Sequence, residues 1–442
     1  MPASPDPAPR PWAARDADVV WHGFTQMGSW GDNAPVVVER AEGRELIDTD
    51  GRRYLDAISS LWVATIGHRV PELDAALADQ AGRVAHTTML GNGNRVVVEL
   101  AEALADVVPV DRPHFLFASD GASAVEQALK IAFQFWANRG VEGRTRYLAF
   151  GGAYHGDTIG SLSLGDGGFG TDIFDPLRFP VVRSPGPGTP AWVDAACASI
   201  ARHAAGLAAV VLEPLVQGAG GMRLSTPDDV VRIAAACRDH GVLLILDEVA
   251  TGFGRTGSLF ATDQCPGVRP DLLCLGKGIT GGYLPLSATV AAATVYDAFI
   301  GPDLSEFTLY HGHSYGGNAL AAAVALRHLQ LLADGTILAN ARARAAQLGA
   351  LLQARVAGRS DVREVRQRGL MIGVELDPPR DGMRWGRRVC IASVRRGVLL
   401  RPLGDVVVIV PMLTTTPDEV VRIVDTLVSS LDEVCAADGV RV

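Results

Sequence analysis

The run Leu243-Leu244-Ile245-Leu246-Asp247-Glu248 decides how this chain is read. Four apolar residues break off at two carboxylates. The chain continues as Val249-Ala250-Thr251-Gly252-Phe253-Gly254-Arg255-Thr256-Gly257, and Lys277 follows 30 residues after Asp247 within Leu275-Gly276-Lys277-Gly278. A short apolar run closed by polar residues is the pattern of a strand buried on both faces, which carries its last side chains to a sheet edge. Such strands belong to α/β folds, where ligands bind beyond the carboxyl ends of parallel strands. An ordinary strand with a polar rim and a surface lysine accounts for the same residues. The neighbouring strands must decide.

From about residue 72 to 325, short apolar runs alternate with helical patterns. The candidate strands are His114–Ala118, Arg146–Phe150, Ala208–Glu213, Val242–Asp247 and Leu272–Leu275. Between them, Ala122–Trp136 and Pro227–His240 carry apolar residues at spacings of three and four. That alternation predicts βαβ units and a mainly parallel central sheet in a domain spanning 72–325. The flanks read differently. Residues 35–58 suggest strands around an Asp50-Gly51 turn, and residues 330–442 suggest two long helices enclosing strands near 369–375 and 406–411. A smaller α+β domain built from both chain ends, 19–71 and 326–442, is therefore expected, behind a loose tail over 1–18.

Size and composition narrow the function classes. The 442 residues exceed what one core usually fills, and 48% apolar with 20% charged residues argues for a large folded interior. A net charge of −9, with no Lys/Arg-rich block, argues against nucleic-acid binding. The six cysteines are scattered without zinc-type spacing and read as reduced thiols. The first eighteen residues have no apolar signal region, and no apolar run is long enough to span a membrane. A cytoplasmic protein is expected.

Every strand end carries something chemical. After 114–118 comes Ser119-Asp120-Gly121-Ala122-Ser123, a small-residue turn opening a helix, whose free N–H groups suit a phosphate. After 146–150 comes Gly151-Gly152-Ala153-Tyr154-His155-Gly156-Asp157-Thr158, where Tyr154 is placed to cover a flat ring. The third strand ends in Glu213 and a glycine loop, Gly218-Ala219-Gly220-Gly221. With Asp247 and Lys277 these pieces suit pyridoxal phosphate. The lysine amine can form a Schiff base with the cofactor aldehyde, and the acid can keep the pyridine nitrogen protonated. An acid–pyridinium contact of ~4 Å at an effective dielectric near ~20 is worth roughly 4 kcal/mol before desolvation. Metal binding competes for the same polar residues. His311-x-His313 and Asp247-Glu248 offer ligands, but no recognisable third and fourth follow. Gly276-Lys277-Gly278-Ile279-Thr280 lacks the glycine spacing and the Lys-Ser/Thr step of a nucleotide phosphate loop.

The stretch Asp247–Gly257, with Pro270-Asp271 and Lys277, resembles the signature of the class III pyridoxal phosphate aminotransferases, and the resemblance covers nearly the whole chain. Within them the chain is similar to the 7,8-diaminopelargonate synthases of biotin synthesis. The matching stretches are Trp21–Met27, Ser59–Trp62, Tyr154–Thr158, Glu213–Gly221, His311–Tyr315 and Leu400–Asp405. The resemblance implies the fold-type I α/β architecture and a homodimer with shared sites.

It also implies roles. Lys277 would bind the cofactor and shuttle the proton, Asp247 would pair with the ring nitrogen, and Val249 and Tyr154 would enclose the ring. Gly121 and Ala122 would hold the phosphate, which Ser314 of the neighbouring subunit would reach. Arg401 would take the carboxylate of the keto substrate, Trp62 and Phe24 would line its chain, and Asp157, Arg255 and Gly312 would complete the substrate side. The amino donor implied is S-adenosylmethionine or lysine. Leu61-Trp62 and His313-Ser314 depart from the pattern of the S-adenosylmethionine users, whereas Leu286–Thr289 resembles it; Gly23 departs from the pattern of the whole branch. A different class III aminotransferase acting on ω-amino acids or diamines, or a racemase or aminomutase, would keep Asp247 and Lys277.

Overall fold

Seven strands form the central sheet of the computed structural model, which describes residues 10–166 and 170–440. In chain order they are β1 (His114–Ala118), β2 (Arg146–Phe150), β3 (Val182–Ser184), β4 (Leu207–Leu212), β5 (Leu243–Asp247), β6 (Leu272–Leu275) and β7 (Ser287–Ala291). Across the sheet they lie in the order β1-β7-β6-β5-β4-β2-β3. The run β6-β5-β4-β2-β3 is parallel, whereas β7 is antiparallel to both β6 and β1. Every residue of β4, β5 and β6 is buried. Helices on both faces produce that burial and explain why these strands read as unbroken apolar runs.

The register carries the chemistry to one edge. Asp247 pairs with Cys274 and Leu246 with Leu212, so the chain leaves β4, β5 and β6 on the same rim. There it meets the N-terminus of α2 (Gly121–Asn138), the helix that follows β1. The strands expected from the sequence appear within a residue of their predicted limits. β3 and β7 were not foreseen: Val182–Ser184 is too short to show a pattern, and Ser287–Ala291 has no charged boundary and little alternation to mark it.

The two chain ends meet in a second body. A hairpin pair, Glu45–Asp48 and Arg53–Asp56, lies in one sheet with Val398–Leu399, which runs parallel to Arg53–Asp56. Val362–Arg368, Met371–Leu376, Val406–Ile409 and Arg401–Leu403 form a separate antiparallel sheet. One core joins Leu55 and Ala57 to Leu348, Trp385, Val389 and Ile423 from the far end of the chain. The C-terminal region holds α5 (Thr336–Arg355), α6 (Trp385–Arg395) and α7 (Pro417–Ala437), one helix more than expected. α7 opens on a reciprocal capping box between Thr416 and Glu419.

The expected loose tail is corrected over part of its length. Trp12–Val19 form a helix, α1, preceded by Pro11 and tied by an Arg10–Asp18 ion pair. The Arg15 guanidinium also lies over the Trp12 ring at 3.9 Å. Local propensity and these contacts suffice, since α1 buries no residue. The remainder of that tail, 1–9, lies outside the described residues. Among the described residues no helix is long and apolar enough to cross a membrane.

Candidate active site

A cavity of about 490 Å³ opens on the rim where β1, β2, β4, β5 and β6 end. Lys277 sits on its wall in the first position of a short 3-10 turn after β6, in a left-handed conformation (φ 41°). Its glycine neighbours are there for space. A Cβ on Gly276 would come within 3.1 Å of Val249, and one on Gly278 within 3.0 Å of Phe253 and Thr65. Loss of hydration depresses the Lys277 ammonium below the ordinary lysine value, with Arg255 adding to that and Asp247 and Glu213 opposing it.

Asp247, at the end of β5, is buried and held at both oxygens. Oδ1 accepts the Val249 N–H at 3.0 Å, and Oδ2 lies 2.7 Å from His155 Nδ1. Burial opposes the protonated form of His155, but the hydrogen bond and charge of Asp247 outweigh it and raise the imidazole pKa. Glu213, at the end of β4, accepts the Tyr154 and Gly218 N–H groups, both at 3.1 Å. Burial pushes its carboxyl up to about 7, and the Asp247 charge reinforces that shift. Glu248 plays no part in the cavity. It accepts from Thr251, Ala261 and twice from Thr262, and so fastens the loop behind β5.

Opposite these acids lies the start of α2. Asp120 caps the helix by accepting both the N–H and the hydroxyl of Ser123 at 2.9 Å. The N–H groups of Gly121 and Ala122, exposed by the helix geometry, line the cavity. Gly121 is a cradle that a side chain would fill: its Cβ would fall 2.5 Å from Val249 Cγ1. On the other wall Tyr154 donates its hydroxyl to Asp157 at 2.9 Å. Burial raises the Tyr154 pKa, keeping the phenol protonated.

These residues fit pyridoxal phosphate. A dipole-assisted N–H pair suits its phosphate, a buried acid its ring nitrogen, a dehydrated amine its aldehyde, and Val249 and Tyr154 its flat ring. Among the described residues no group of three or more His, Cys, Asp or Glu side chains is placed to hold a metal. His311 and His313 do face each other, Nε2 to Nε2, at 3.3 Å.

On the substrate side the outcome is mixed. Trp62 lines the cavity with its ring centroid 5.4 Å from Lys277 Nζ, and Asp157 lines it as well. Arg401 is half-buried and does not line the cavity; its guanidinium is within electrostatic reach of Tyr154 and has no hydrogen bond or ion pair among the described residues. Phe24 is 58% exposed, and Gly312 and Ser314 are exposed too; none of the three lines this chain's cavity.

Arg255 needs correction. Its Nη1 donates to Ser59 Oγ and the Pro411 carbonyl at 3.2 and 3.0 Å, and its Nη2 to the Trp62 and Ala64 carbonyls at 3.1 and 2.9 Å. A guanidinium 1% exposed and spent on four protein oxygens has no fork left for a substrate carboxylate. His155 was missed in turn. It stands beside Tyr154 in a glycine-rich loop, and nothing in its spacing names Asp247 as its partner.

Comparison with known proteins agrees with this geometry. A family model described as aminotransferase class-III matches residues 26–431. The chain is 44% identical to an adenosylmethionine-8-amino-7-oxononanoate aminotransferase of Nitratidesulfovibrio vulgaris, over 96% of this chain and 82% of that one. It is 39% identical to the protein of the same name from Geobacter sulfurreducens, over 96% and 97%. Among solved structures, the adenosylmethionine-8-amino-7-oxononanoate aminotransferase of Methanocaldococcus jannaschii superimposes with a TM-score of 0.91 at 36% identity, covering 95% of this chain and 98% of that one. A PLP-bound amine transaminase from an uncultivated Pseudomonas species gives 0.88 at 34% identity, over 94% and 98%.

Proposed function

The chain belongs to the class III aminotransferases, and from that membership we propose that it aminates 8-amino-7-oxononanoate to 7,8-diaminononanoate for biotin synthesis. The observation that carries this choice of acceptor is the half-buried Arg401 guanidinium, uncommitted among the described residues and within electrostatic reach of Tyr154. A long keto acid with a terminal carboxylate asks for one free Arg fork and an apolar wall, and Trp62 supplies the wall. Relatives bearing that name at 39–44% identity support the same reading.

The enzyme depends on pyridoxal phosphate, which when bound supplies an aldehyde that exchanges amino groups and a ring that draws electrons from the substrate carbon. The residues do the rest. Lys277 Nζ, depressed by burial, accepts the proton leaving the donor carbon and returns it at the other end of the transfer. Asp247 holds a proton at the ring nitrogen, and His155 fixes the carboxylate in place and balances its charge. The first turn of α2 anchors the phosphate, so that neither half of the reaction releases the cofactor.

Phe24, Gly312 and Ser314, exposed on this chain, are read as contributions to the site of a second copy in a homodimer. The cytoplasm is the proposed location. S-adenosylmethionine and lysine are the candidate donors, the first supported by the names of the relatives.

The test is direct. Purified holoenzyme is incubated with 8-amino-7-oxononanoate plus, separately, S-adenosylmethionine, lysine and alanine, and the diamine is quantified. One of the first two donors is expected to give product. No product with any donor would redirect the assignment to a general ω-amino acid or amine transaminase, a class also represented among the structural neighbours.

A further inference from the structure

Four consecutive residues, Ser59, Ser60, Leu61 and Trp62, take left-handed backbone conformations with φ of 49°, 47°, 69° and 68°. None is glycine. The Trp62 N–H donates to the Ile58 carbonyl at 2.8 Å and the Val63 N–H to the Ser59 carbonyl at 2.9 Å, the i to i−4 pattern of one turn of left-handed helix. L-residues resist this conformation because Cβ crowds the following carbonyl, and it persists only where the surroundings hold it.

The surroundings here are explicit. Arg255 clamps both ends of the turn through Ser59 Oγ and the Trp62 and Ala64 carbonyls. Its remaining bond, to the Pro411 carbonyl, ties the turn to the chain's C-terminal part, as does the Ser59 hydroxyl donating to the Val410 carbonyl at 2.6 Å. Asp56 accepts the Ser60 N–H and hydroxyl at 2.9 and 2.7 Å. The product of this bracing is the position of Trp62. Its indole N–H has no partner among the described residues, so no side-chain hydrogen bond from them orients the ring. The backbone of the turn and the packing set its place. Gly218 leaves room for it, since a Cβ there would fall 3.0 Å from Trp62 Cζ3.

We propose that Arg255 is a positioning residue, which holds the Trp62 indole beside Lys277 through the left-handed turn and never meets the substrate. The proposal rests on the aminotransferase reading only for its kinetic readout. It makes strain at Leu61, an exposed residue, part of the device.

The experiment compares full-length holoenzymes carrying Arg255→Lys, Leu61→Gly, or both. Arg255→Lys is expected to lower kcat at least tenfold, to lower Tm, and to shift the pH titration of the cofactor absorbance without substrate, because Trp62 no longer sits against Lys277. Glycine tolerates the left-handed region. Leu61→Gly alone should therefore raise Tm, and in the Arg255→Lys background it should restore kcat at least threefold.

A substrate ligand behaves otherwise. Its loss would raise KM for the keto acid, leave the substrate-free titration and Tm unchanged, and gain nothing from Leu61→Gly. That pattern overturns the proposal, as does a lowered Tm in Leu61→Gly alone should Arg255→Lys fail to fold. If no keto acid is aminated, Tm and the substrate-free titration still decide the role of Arg255.

Discussion

Glu213 and Asp247 stand at the ends of adjacent strands in the same cavity, yet one is tuned and the other is fastened. Asp247 meets His155 and a backbone N–H at separate oxygens, whereas Glu213 meets two backbone N–H groups and no cation in hydrogen-bond contact. Its carboxyl is raised from 4.5 to about 7. A raised folded-state value means that the folded protein binds the extra proton more tightly. The stability from this group is therefore complete below pH 4.5 and is lost as pH rises through 7. The loss is on the order of 3 kcal/mol for a shift of this size. Denaturant unfolding of the cofactor-free protein should show stability falling between those pH values. In Glu213→Gln the fall should be smaller by this amount, because the amide does not titrate. An unchanged slope would mean that Glu213 stays ionised. Lys277 and Asp247 were legible only together with the other strand ends, because an acid closing a buried strand and a glycine-flanked lysine also suit an ordinary sheet rim. His155 and Arg255 were not. Their roles depend on partners 92 residues away in one case and more than 150 in the other, which no local pattern encodes.

Helix α2 joins two jobs in one element. Its body covers β6 and β7, and its first turn supplies the phosphate site. Both meet at Gly121, where a methyl group would overlap Val249. Gly121→Ala should fold, because alanine favours helices by up to ~1 kcal/mol over glycine. It should nevertheless weaken cofactor binding at least tenfold, since the first turn or Val249 must shift. Titration of the cofactor-free variant with pyridoxal phosphate, followed by absorbance, checks this. The left-handed turn before Trp62 is the opposite kind of element. At about 1–2 kcal/mol per residue it is costly, and propensity alone would never predict it. Buried parallel strands announce themselves by composition, and so β4, β5 and β6 were readable. Helix α6 was not: its arginines, Arg387, Arg388 and Arg395, dilute the apolar residues Trp385, Val389 and Cys390, which face the core.

At the scale of the whole molecule, the proposed homodimer would bring Ser314 and Phe24 of a second copy to each site. Subunit exchange tests whether a second copy supplies them. Lys277→Ala and Ser314→Asp proteins should each be inactive alone, the second because a carboxylate repels the cofactor phosphate. Mixed in equal amounts and allowed to exchange, they should recover up to about a quarter of wild-type activity. Half of the dimers are then mixed, each with one intact site. No recovery despite verified exchange would assign Ser314 to the site of its own chain, and an active Ser314→Asp protein would assign it to no site. The pairing of Arg53–Asp56 with Val398–Leu399 has a consequence of another kind. While the chain is being synthesised, Val38–Glu42 can cover one edge of the early hairpin, but the Arg53–Asp56 edge has no neighbour until more than 340 further residues have been made. That edge must wait until the strands of the whole central sheet have been synthesised, so this body closes after them. A nascent chain stalled before Val398 should therefore present an unpaired strand edge, a target for chaperones.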